Sequence, residues 1–326
     1  MKKLICILLS TLKLLSVVTL VGCKKEEPTL KMGLGVYTAV KATSAEEKDG
    51  QGTATVTAAV IMVDADGKVV ACQLDTMENK ASYTAEGKAV ANTSFKTKYE
   101  TGADYNMVAY GGATKEWFEQ ADAFEALCVG KTLDEIKALV VADTKKGTEA
   151  VVAAGCTIMI NEFVGAIEKA FANLADSAAT ASSTVKLAMN TEQKTADATA
   201  EKDGYNQVET TVFAAAVDAE GKVLVAASDC VQVKFTFDVA GASTYDTTKA
   251  VASKREQGAN YGMVAYGGAA KEWFEQADAF NALCVGKTAA EITALCAADN
   301  YGTDEVKTAG CTILVNGLTK AAAKIG

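Results

Sequence analysis

The chain has 326 residues and no histidine, and this absence removes several kinds of chemistry. Histidine is the usual proton carrier near neutral pH, the partner of nucleophilic serine and cysteine, and a frequent ligand of catalytic zinc. Ser–His pairs, Cys–His pairs and ordinary histidine zinc sites are therefore excluded. The sequence predicts neither a catalytic residue nor a metal site.

Long apolar runs are also scarce, and the main candidate lies at the start of the chain. Residues 1–22 begin with Met and two lysines, continue as an apolar run interrupted by Lys13, and end just before Cys23. A short run that carries a lysine is typical of a secretory signal and not of a membrane span. Residues 20–23 resemble a bacterial lipobox, which implies acylation of Cys23, for example with palmitate. We expect residues 23–30 to be a lipidated tether on the extracytoplasmic face of the cell membrane.

Basic residues are outnumbered, since 32 lysines and arginines face 41 acidic residues, for a formal charge of −9. No basic run occurs anywhere in the sequence. An acidic surface repels nucleic-acid backbones and anionic lipid headgroups. The composition therefore argues against nucleic acid as a partner, and the membrane is expected to be reached through the lipid anchor.

What the chain does contain is one block that occurs twice. Residues 99–132 and 255–288 align without a gap and differ at six positions, and both tryptophans, Trp117 and Trp273, fall at the same place. The distance between the copies far exceeds the roughly 20–50 residues of solenoid repeats. The block therefore belongs to a duplicated domain.

The two predicted domains are residues 31–176 and 184–326, joined by a short flexible linker at 177–183. Each is near the commonest size of a single domain, so each is expected to bury a core of its own.

The nine cysteines include no C-x-x-C pair. Without Cys6 in the signal and the acylated Cys23, seven remain, and an odd number cannot all pair within one chain. Two positions recur in both repeats, at 128/284 and 156/311, and would permit one disulfide per repeat. We favour small buried thiols over disulfides.

Each repeat opens with a predicted β-hairpin. Residues 52–63 are rich in β-branched side chains, and a turn at 64–67 leads into a returning strand from Lys68. The second copy has the same order, with a strand at 209–217 and a turn at 218–221. The stretches that follow are polar and predict a loop with an edge strand.

Helices are predicted after the hairpins. One begins near Lys115 and near Lys271, with apolar residues on one face. Capping boxes predict a second helix in each repeat, at Thr132-x-x-Glu135 and Thr288-x-x-Glu291. Short strands at 157–160 and 312–315 are expected to precede a last helix capped by Asn161 or Asn316. The predicted fold class is α+β, with a small antiparallel sheet and about three helices in each repeat.

The order of these motifs resembles one family. A lipobox, a hairpin with a D/E-G-K turn, a Gly-x-x-Tyr-x-Met stretch, a Lys-Glu-Trp-Phe-Glu-Gln helix, a Gly-Lys-Thr step and a closing Gly-x-Thr-Ile segment are similar to the FMN-binding-domain lipoproteins of Gram-positive bacteria. The resemblance covers nearly all of both repeats. It implies that a flavin transferase joins FMN through its phosphate to a threonine hydroxyl. The implied electron donor is a membrane NADH dehydrogenase and quinone system, and the implied acceptors are extracellular.

The family's attachment motif is Asp-x-x-Ser/Thr-Gly-Ala-Ser/Thr, with the last residue modified. By position it corresponds to residues 151–157 and 306–312, so that Thr157 and Thr312 are the candidates. Both segments depart from the motif, with valine for Asp, alanine for Ser/Thr and cysteine for alanine. Thr114, after Gly112 and Ala113, matches only the last three positions, and the other copy has Ala270 there. Attachment at Thr114 and the lack of a covalent flavin remain alternatives.

A flavin ring needs flat apolar walls, and its phosphate favours backbone N–H groups at a helix start. The candidate phosphate positions are Gly111, Gly112, Gly267 and Gly268. The candidate wall residues are Tyr105, Tyr110, Trp117 and Phe118 in the first copy, and Tyr261, Tyr266, Trp273 and Phe274 in the second. Aromatic stripes on helices are also ordinary core, and Tyr110 and Tyr266 are expected to be exposed. The neighbouring residues Glu116, Glu119 and Gln120 are interpreted as a solvated face.

The sequence thus predicts a lipid-anchored electron carrier with FMN in each repeat and little substrate chemistry of its own. Two alternatives stay open. One is a surface lipoprotein that binds a small molecule or signal without covalent flavin, and the other is a structural or adhesive repeat protein.

Overall fold

The computed structural model describes residues 27–326. The predicted signal, Cys23 and the first residues of the tether lie outside the described part. Within residues 27–326, no helix is both long enough and apolar enough to cross a membrane.

Three long antiparallel strands form the centre of each repeat. The strands of the first repeat are β1 (Lys31–Thr43), β2 (Gly50–Val63), β3 (Val69–Tyr83), β4 (Ala89–Val90) and β5 (Ala175–Asp176), in the sheet order β4-β3-β2-β1-β5. Those of the second are β6 (Thr184–Ala196), β7 (Gly204–Val217) and β8 (Val223–Phe237), in the order β6-β7-β8.

The predicted hairpins are confirmed as β2–β3 and β7–β8. In the first turn, the Asp64 carboxylate accepts hydrogen bonds from the N–H groups of Asp66 and Lys68, and Gly67 takes the positive φ that the turn needs. The sequence did not predict β1 or β6. It also ended β3 and β8 too early, because both continue into stretches that were expected to be loop with an edge strand; in the first repeat the short edge strand β4 does follow.

The helices cover one face of each sheet. In the first repeat they are α1 (Lys98–Thr101), α2 (Trp117–Cys128), α3 (Leu133–Lys137), α4 (Glu149–Ala154) and α5 (Asn161–Ala172). In the second they are α6 (Lys254–Gln257), α7 (Trp273–Cys284), α8 (Ala289–Thr293), α9 (Asp304–Ala309) and α10 (Asn316–Ala322). The α+β class is confirmed.

The predicted apolar face of α2 is confirmed, since its four spaced residues Trp117, Ala121, Phe124 and Cys128 are all buried. Both predicted capping boxes are present, at the starts of α3 and α8. The predicted strand at 157–160 is wrong, because its only ladder contact is an isolated bridge between Lys146 and Met159. The predicted strand at 312–315 is wrong for the same reason, since only an isolated bridge between Tyr301 and Leu314 is present there. The last helices begin one residue earlier than predicted, since their N-cap residues are Ile160 and Val315 and not the asparagines.

The two sheets pack face to face, so the molecule has four layers in the order helices, sheet, sheet, helices. Buried residues of the first sheet, such as Met32 and Val56, share one cluster with Met189 and Val212 of the second. The opposite face of each sheet packs against helices of the same repeat. Each repeat therefore has a core of its own between its sheet and its helices, and the other face of each sheet is buried in a third core that the two repeats share.

Contacts between the repeats come in equivalent pairs. Lys169 of α5 forms an ion pair with Glu256 at 2.6 Å, and its counterpart Lys324 forms one with Glu100 at 2.7 Å. Tyr83 and Phe237, which end β3 and β8, stack on each other with ring centroids 4.3 Å apart. Such reciprocity is characteristic of a two-fold, isologous interface.

The predicted linker is fixed to the sheets. The Ala179 carbonyl accepts a hydrogen bond from the Leu30 N–H at 2.8 Å, and Ala179 is fully buried in the shared core. The Ser177 hydroxyl donates to the Leu30 carbonyl at 2.6 Å. The structure therefore does not support the expectation of a flexible connection.

Candidate functional site

A cavity of about 550 Å³ lies on the helix side of the first sheet, within the 300–1,000 Å³ range usual for small-molecule sites. Its floor is formed by side chains of β1, β2 and β3 that share one face of the sheet, namely Ala39, Lys41, Thr55, Thr76 and Glu78. Its walls come from the loop before α2, from the start of α5 and from the segment between α4 and α5. Five predicted site residues meet here, namely Tyr105, Gly111, Gly112, Trp117 and Thr157.

Lys98 lies against one wall of the cavity. Its side chain is 14% exposed, and its Nζ is 2.9 Å from the Glu78 carboxylate. The ammonium also lies over the rings of Tyr105 and Trp117, 4.9 and 5.4 Å from their centroids. Burial alone would lower the pKa of Lys98, but Tyr105 and Glu78 raise it above its usual value. Lys98 is therefore a fixed positive charge beside the cavity.

Trp117 belongs to the core as well as to the cavity wall. It is 4% exposed and packs edge-on against Tyr99 and Phe163, with centroid distances of 5.7 Å to each. Because these neighbours hold the indole from two sides, the wall is rigid.

Thr157 is an exposed residue that lines the cavity. Its hydroxyl donates to Gln120 Oε1 at 3.0 Å, and the Thr157 N–H donates to the same oxygen at 2.9 Å. Gln120 is itself buried and donates to the Lys115 carbonyl at 3.0 Å. The Lys115 side chain passes over Gly155, where a side chain would collide with its ammonium. The threonine is thus oriented from α2 and has a cationic neighbour.

The glycine loop, which is the segment before α2 that carries Gly111 and Gly112, is held by a buried carboxylate. Glu116 accepts hydrogen bonds from the N–H groups of Met107 and Val108, at 2.9 and 3.1 Å. Its own N–H donates to Glu119 at 2.8 Å. The interpretation of Glu116 and Gln120 as part of a solvated face is therefore wrong, because both residues are buried. With two carboxylates at the start of α2, this helix terminus is a poor place for a phosphate, although Gly111 and Gly112 do line the cavity.

Three predicted residues of the first repeat, Thr114, Tyr110 and Phe118, do not line this cavity. Thr114 is exposed, Tyr110 is 88% exposed, and Phe118 is partly buried against the core. The predicted exposure of Tyr110 is confirmed, and so is that of Tyr266, which is 92% exposed.

The corresponding cleft of the second repeat is smaller, at about 230 Å³. Trp273 lines it, but Thr312, Gly267 and Gly268 do not. Its polar lining includes two carboxylates, Glu192 and Glu209, at the positions of Ala39 and Thr55. The bond between Thr312 and Gln276 nevertheless matches that of Thr157 and Gln120, with a hydroxyl distance of 3.0 Å.

A group of acids lies behind Trp117 in the first repeat. Glu125 accepts from the Leu74 N–H at 2.7 Å and from the Tyr99 hydroxyl at 3.4 Å, while the same hydroxyl bonds Asp122. Burial, followed by the charges of Asp122 and Asp75, raises the pKa of Glu125 to about 8. Burial likewise raises the pKa of Asp75 to about 7.

The equivalent group in the second repeat has one acid fewer and gains an arginine. Arg255 occupies the place of Tyr99 and contacts Asp278 at 2.6 Å, and Asn281 occupies the place of Glu125. Asn281 accepts from the Ser228 hydroxyl at 2.9 Å. Two of the six differences within the shared block therefore fall on one cluster.

The seven cysteines between residues 27 and 326 are all free. Burial raises the pKa of Cys156 and of Cys311 to about 11, so these thiols are protonated at neutral pH. The preference for buried thiols over disulfides agrees with the structure.

The charged residues of the cavity were not among the predicted site residues; they are Lys41, Glu78, Lys98, Lys146 and Glu162. A signal for Lys98 was present, because Lys98 and Lys254 both follow a Thr or Ser that begins a capping box. Lys41 and Glu78 stand on strand segments that the sequence did not predict.

The fold and the site define an α+β protein of two repeats, one of which has a lysine-lined cavity with aromatic walls. Over 121 residues the chain is 31% identical to the chlorophenol reductase of Desulfitobacterium hafniense. The match covers 33% of this chain and 37% of that protein, so the chain spans little more than a third of the relative's length. No family model matches the chain, and no solved structure matches it.

Proposed function

We propose that the protein is a flavin-carrying electron-transfer protein, anchored by lipid at Cys23 on the extracytoplasmic face of the membrane. It takes electrons from a membrane quinone or NADH dehydrogenase system and passes them to extracellular acceptors. A flavin transferase is its loading partner. The observation that carries the proposal is the cavity of the first repeat, where aromatic walls, a fixed ammonium and an exposed threonine meet.

The residues present suit FMN. Tyr105 and Trp117 line the cavity and make its walls partly aromatic, although Trp117 is 4% exposed and Lys98 lies over both rings. Lys41, Lys98 and Lys146 outnumber the two glutamates of the lining, so the cavity favours an anion such as a phosphate. A bound flavin supplies reversible uptake of electrons and protons, which this chain's own side chains cannot supply.

The chain's residues have separate roles in this proposal. Gln120 orients the Thr157 hydroxyl as the attachment point, and Lys115 and Lys146 supply positive charge near it. Lys98 stabilises negative charge inside the cavity. Glu116 holds the loop that brings Gly111 and Gly112 to the cavity. The name of the matched relative describes a reductase, and a redox role for this chain is in keeping with that name.

Co-expression with a flavin transferase tests the proposal. We expect the purified protein to be yellow, to retain flavin fluorescence after denaturation, and to gain the mass of FMN on a peptide that contains Thr157. Thr157→Ala is expected to lose the covalent flavin, whereas the matched variant Thr114→Ala is expected to keep it. If native and denatured protein both lack flavin, the carrier function is refuted, and a surface binding module becomes the better description.

A further inference from the structure

We propose that only the first repeat takes FMN, and that Glu192 and Glu209 close the cleft of the second repeat to it. The inference rests on the proposed function and refines it, because sequence similarity alone predicts one flavin in each repeat.

The first observation is an ion pair that has changed strands. Lys98 pairs with Glu78 of β3, whereas its counterpart Lys254 pairs with Glu209 of β7 at 2.5 Å. Glu78 lies opposite Thr55 in the β2–β3 pair, and Glu209 itself takes the place of Thr55 in the second repeat. The acid that pairs with the lysine therefore stands on β3 in the first repeat and on β7, the equivalent of β2, in the second repeat.

This difference changes what the lysine can reach. Lys98 is 14% exposed and contributes to the cavity lining, whereas Lys254 is 7% exposed and does not line its cleft. The Glu209 carboxylate, which also accepts from the Cys230 thiol, lines the cleft instead. In the second repeat, the Glu209 carboxylate therefore lies at the cleft in place of the ammonium group of Lys254, with which it pairs.

The second observation is a bridge across the cleft. Glu192 of β6 accepts from the Asn316 amide at 2.6 Å and from the Lys320 ammonium at 2.8 Å, and both partners belong to α10. In the first repeat the same position is Ala39, which has no side chain to make such a bridge. Glu192 and Glu209 thus stand where the first repeat has the smaller Ala39 and Thr55, and the second cleft measures about 230 Å³ against about 550 Å³ for the first cavity.

The charges of the two linings, like their volumes, favour FMN in the first repeat over the second. The first cavity is lined by three lysines and two glutamates, and the second by one lysine and two glutamates. A phosphate brought into the second cleft would meet the oxygens of Glu192 and Glu209, whose lysine partners Lys320 and Lys254 do not line the cleft, so the charge that it faces is less favourable than in the first cavity. The second repeat is thus closed to a phosphate-bearing flavin by shape and by charge.

The test counts flavins on the full chain, co-expressed with a flavin transferase. Native and denaturing intact mass give the total and the covalent FMN per chain, and peptide mapping gives the repeat. We expect one FMN per chain, bound to the first repeat, in the parent protein and in Thr312→Ala.

A gain-of-binding variant tests the assigned residues. The double variant Glu192→Ala, Glu209→Thr places the residues of the first repeat in the second cleft and is expected to bring the count to two. The added FMN is expected in the second repeat, and binding of free FMN by this variant is expected to exceed that of riboflavin, which lacks the phosphate, roughly tenfold. The matched control Glu201→Ala changes an exposed acid outside the cleft and is expected to leave the count at one.

The outcomes separate the two proposals. Two FMN on the parent protein, or one on the second repeat, would overturn the asymmetry and leave the carrier function standing. A double variant that is folded by circular dichroism but still carries one FMN would overturn the roles of Glu192 and Glu209. No flavin on any variant would overturn the carrier function and this inference with it.

Discussion

Glu125 provides a direct test of how burial affects this protein's stability. It lies beside Asp75 and Asp122, and burial together with these charges raises its pKa from 4.5 to about 8. The substitution Glu125→Gln removes the charge but keeps an oxygen that can accept from the Leu74 N–H, which now bonds the carboxylate at 2.7 Å. The same position in the second repeat is already an amide, Asn281.

The sign of the effect follows from proton binding. A carboxyl group whose pKa is raised by folding binds more protons in the folded state than in the unfolded state, so stability falls as pH rises. For Glu125 the fall extends from about pH 4.5 to about pH 8. One pKa unit is worth about 1.4 kcal/mol, so the full shift has an upper bound of roughly 5 kcal/mol above pH 8.

We expect Glu125→Gln to be more stable than the parent by roughly 2–4 kcal/mol at pH 8.5, and to differ by less than about 0.5 kcal/mol at pH 4. Urea unfolding followed by tryptophan fluorescence at both pH values measures the difference. The control Glu47→Gln alters an exposed acid and is expected to change stability equally little at both pH values. A variant that is less stable than the parent at pH 8.5 would refute the argument, because the ionised carboxylate would then be stabilised by folding.

Three further outcomes are expected. Tyr83→Ala removes the stack with Phe237 and is expected to cost about 3–5 kcal/mol in urea unfolding, whereas exposed Tyr110→Ala should cost less than about 0.5 kcal/mol; equal costs would contradict the packing. Gly35→Ala would bring a methyl group against the Ala166 carbonyl of α5 and is expected to lower stability by about 1–3 kcal/mol, so an unchanged thermal midpoint would argue against this close approach. Residues 27–183 expressed alone would expose the apolar face that the second sheet covers, so light scattering should show a dimer or larger species, and a stable monomer would count against the shared core.

Local patterns in the sequence predicted much of the fold. The hairpin turns and the capping boxes depend on neighbours within a few residues, and the helix face of Trp117 to Cys128 depends on a 3.6-residue period. These features were predicted because their causes lie within short windows. The strand β1 was missed because it is buried on both faces for part of its length, by α5 and by the second sheet, and so lacks a clean alternation.

The site was predicted in part for a similar reason. The aromatic and glycine residues lie in the shared block, where repetition draws attention to them. The lysines and acids come from β1, β3, α1, α5 and the loop between α3 and α4, which are distant in sequence, and only the folded chain brings them together. The difference between the repeats was beyond the sequence, because it depends on Thr55 and Glu78 being partners across two strands.

The reciprocal contacts between the repeats have a consequence for how this molecule could change. In a true homodimer every substitution appears twice, so a change that spoils one binding site spoils both. In this chain the two halves are covalently joined, and Arg255, Asn281, Glu192 and Glu209 each appear once. One half could therefore give up its cavity and gain ion pairs in exchange, while the other kept its opening. The covalent duplication thus keeps the architecture of a symmetric pair while each half can change independently of the other.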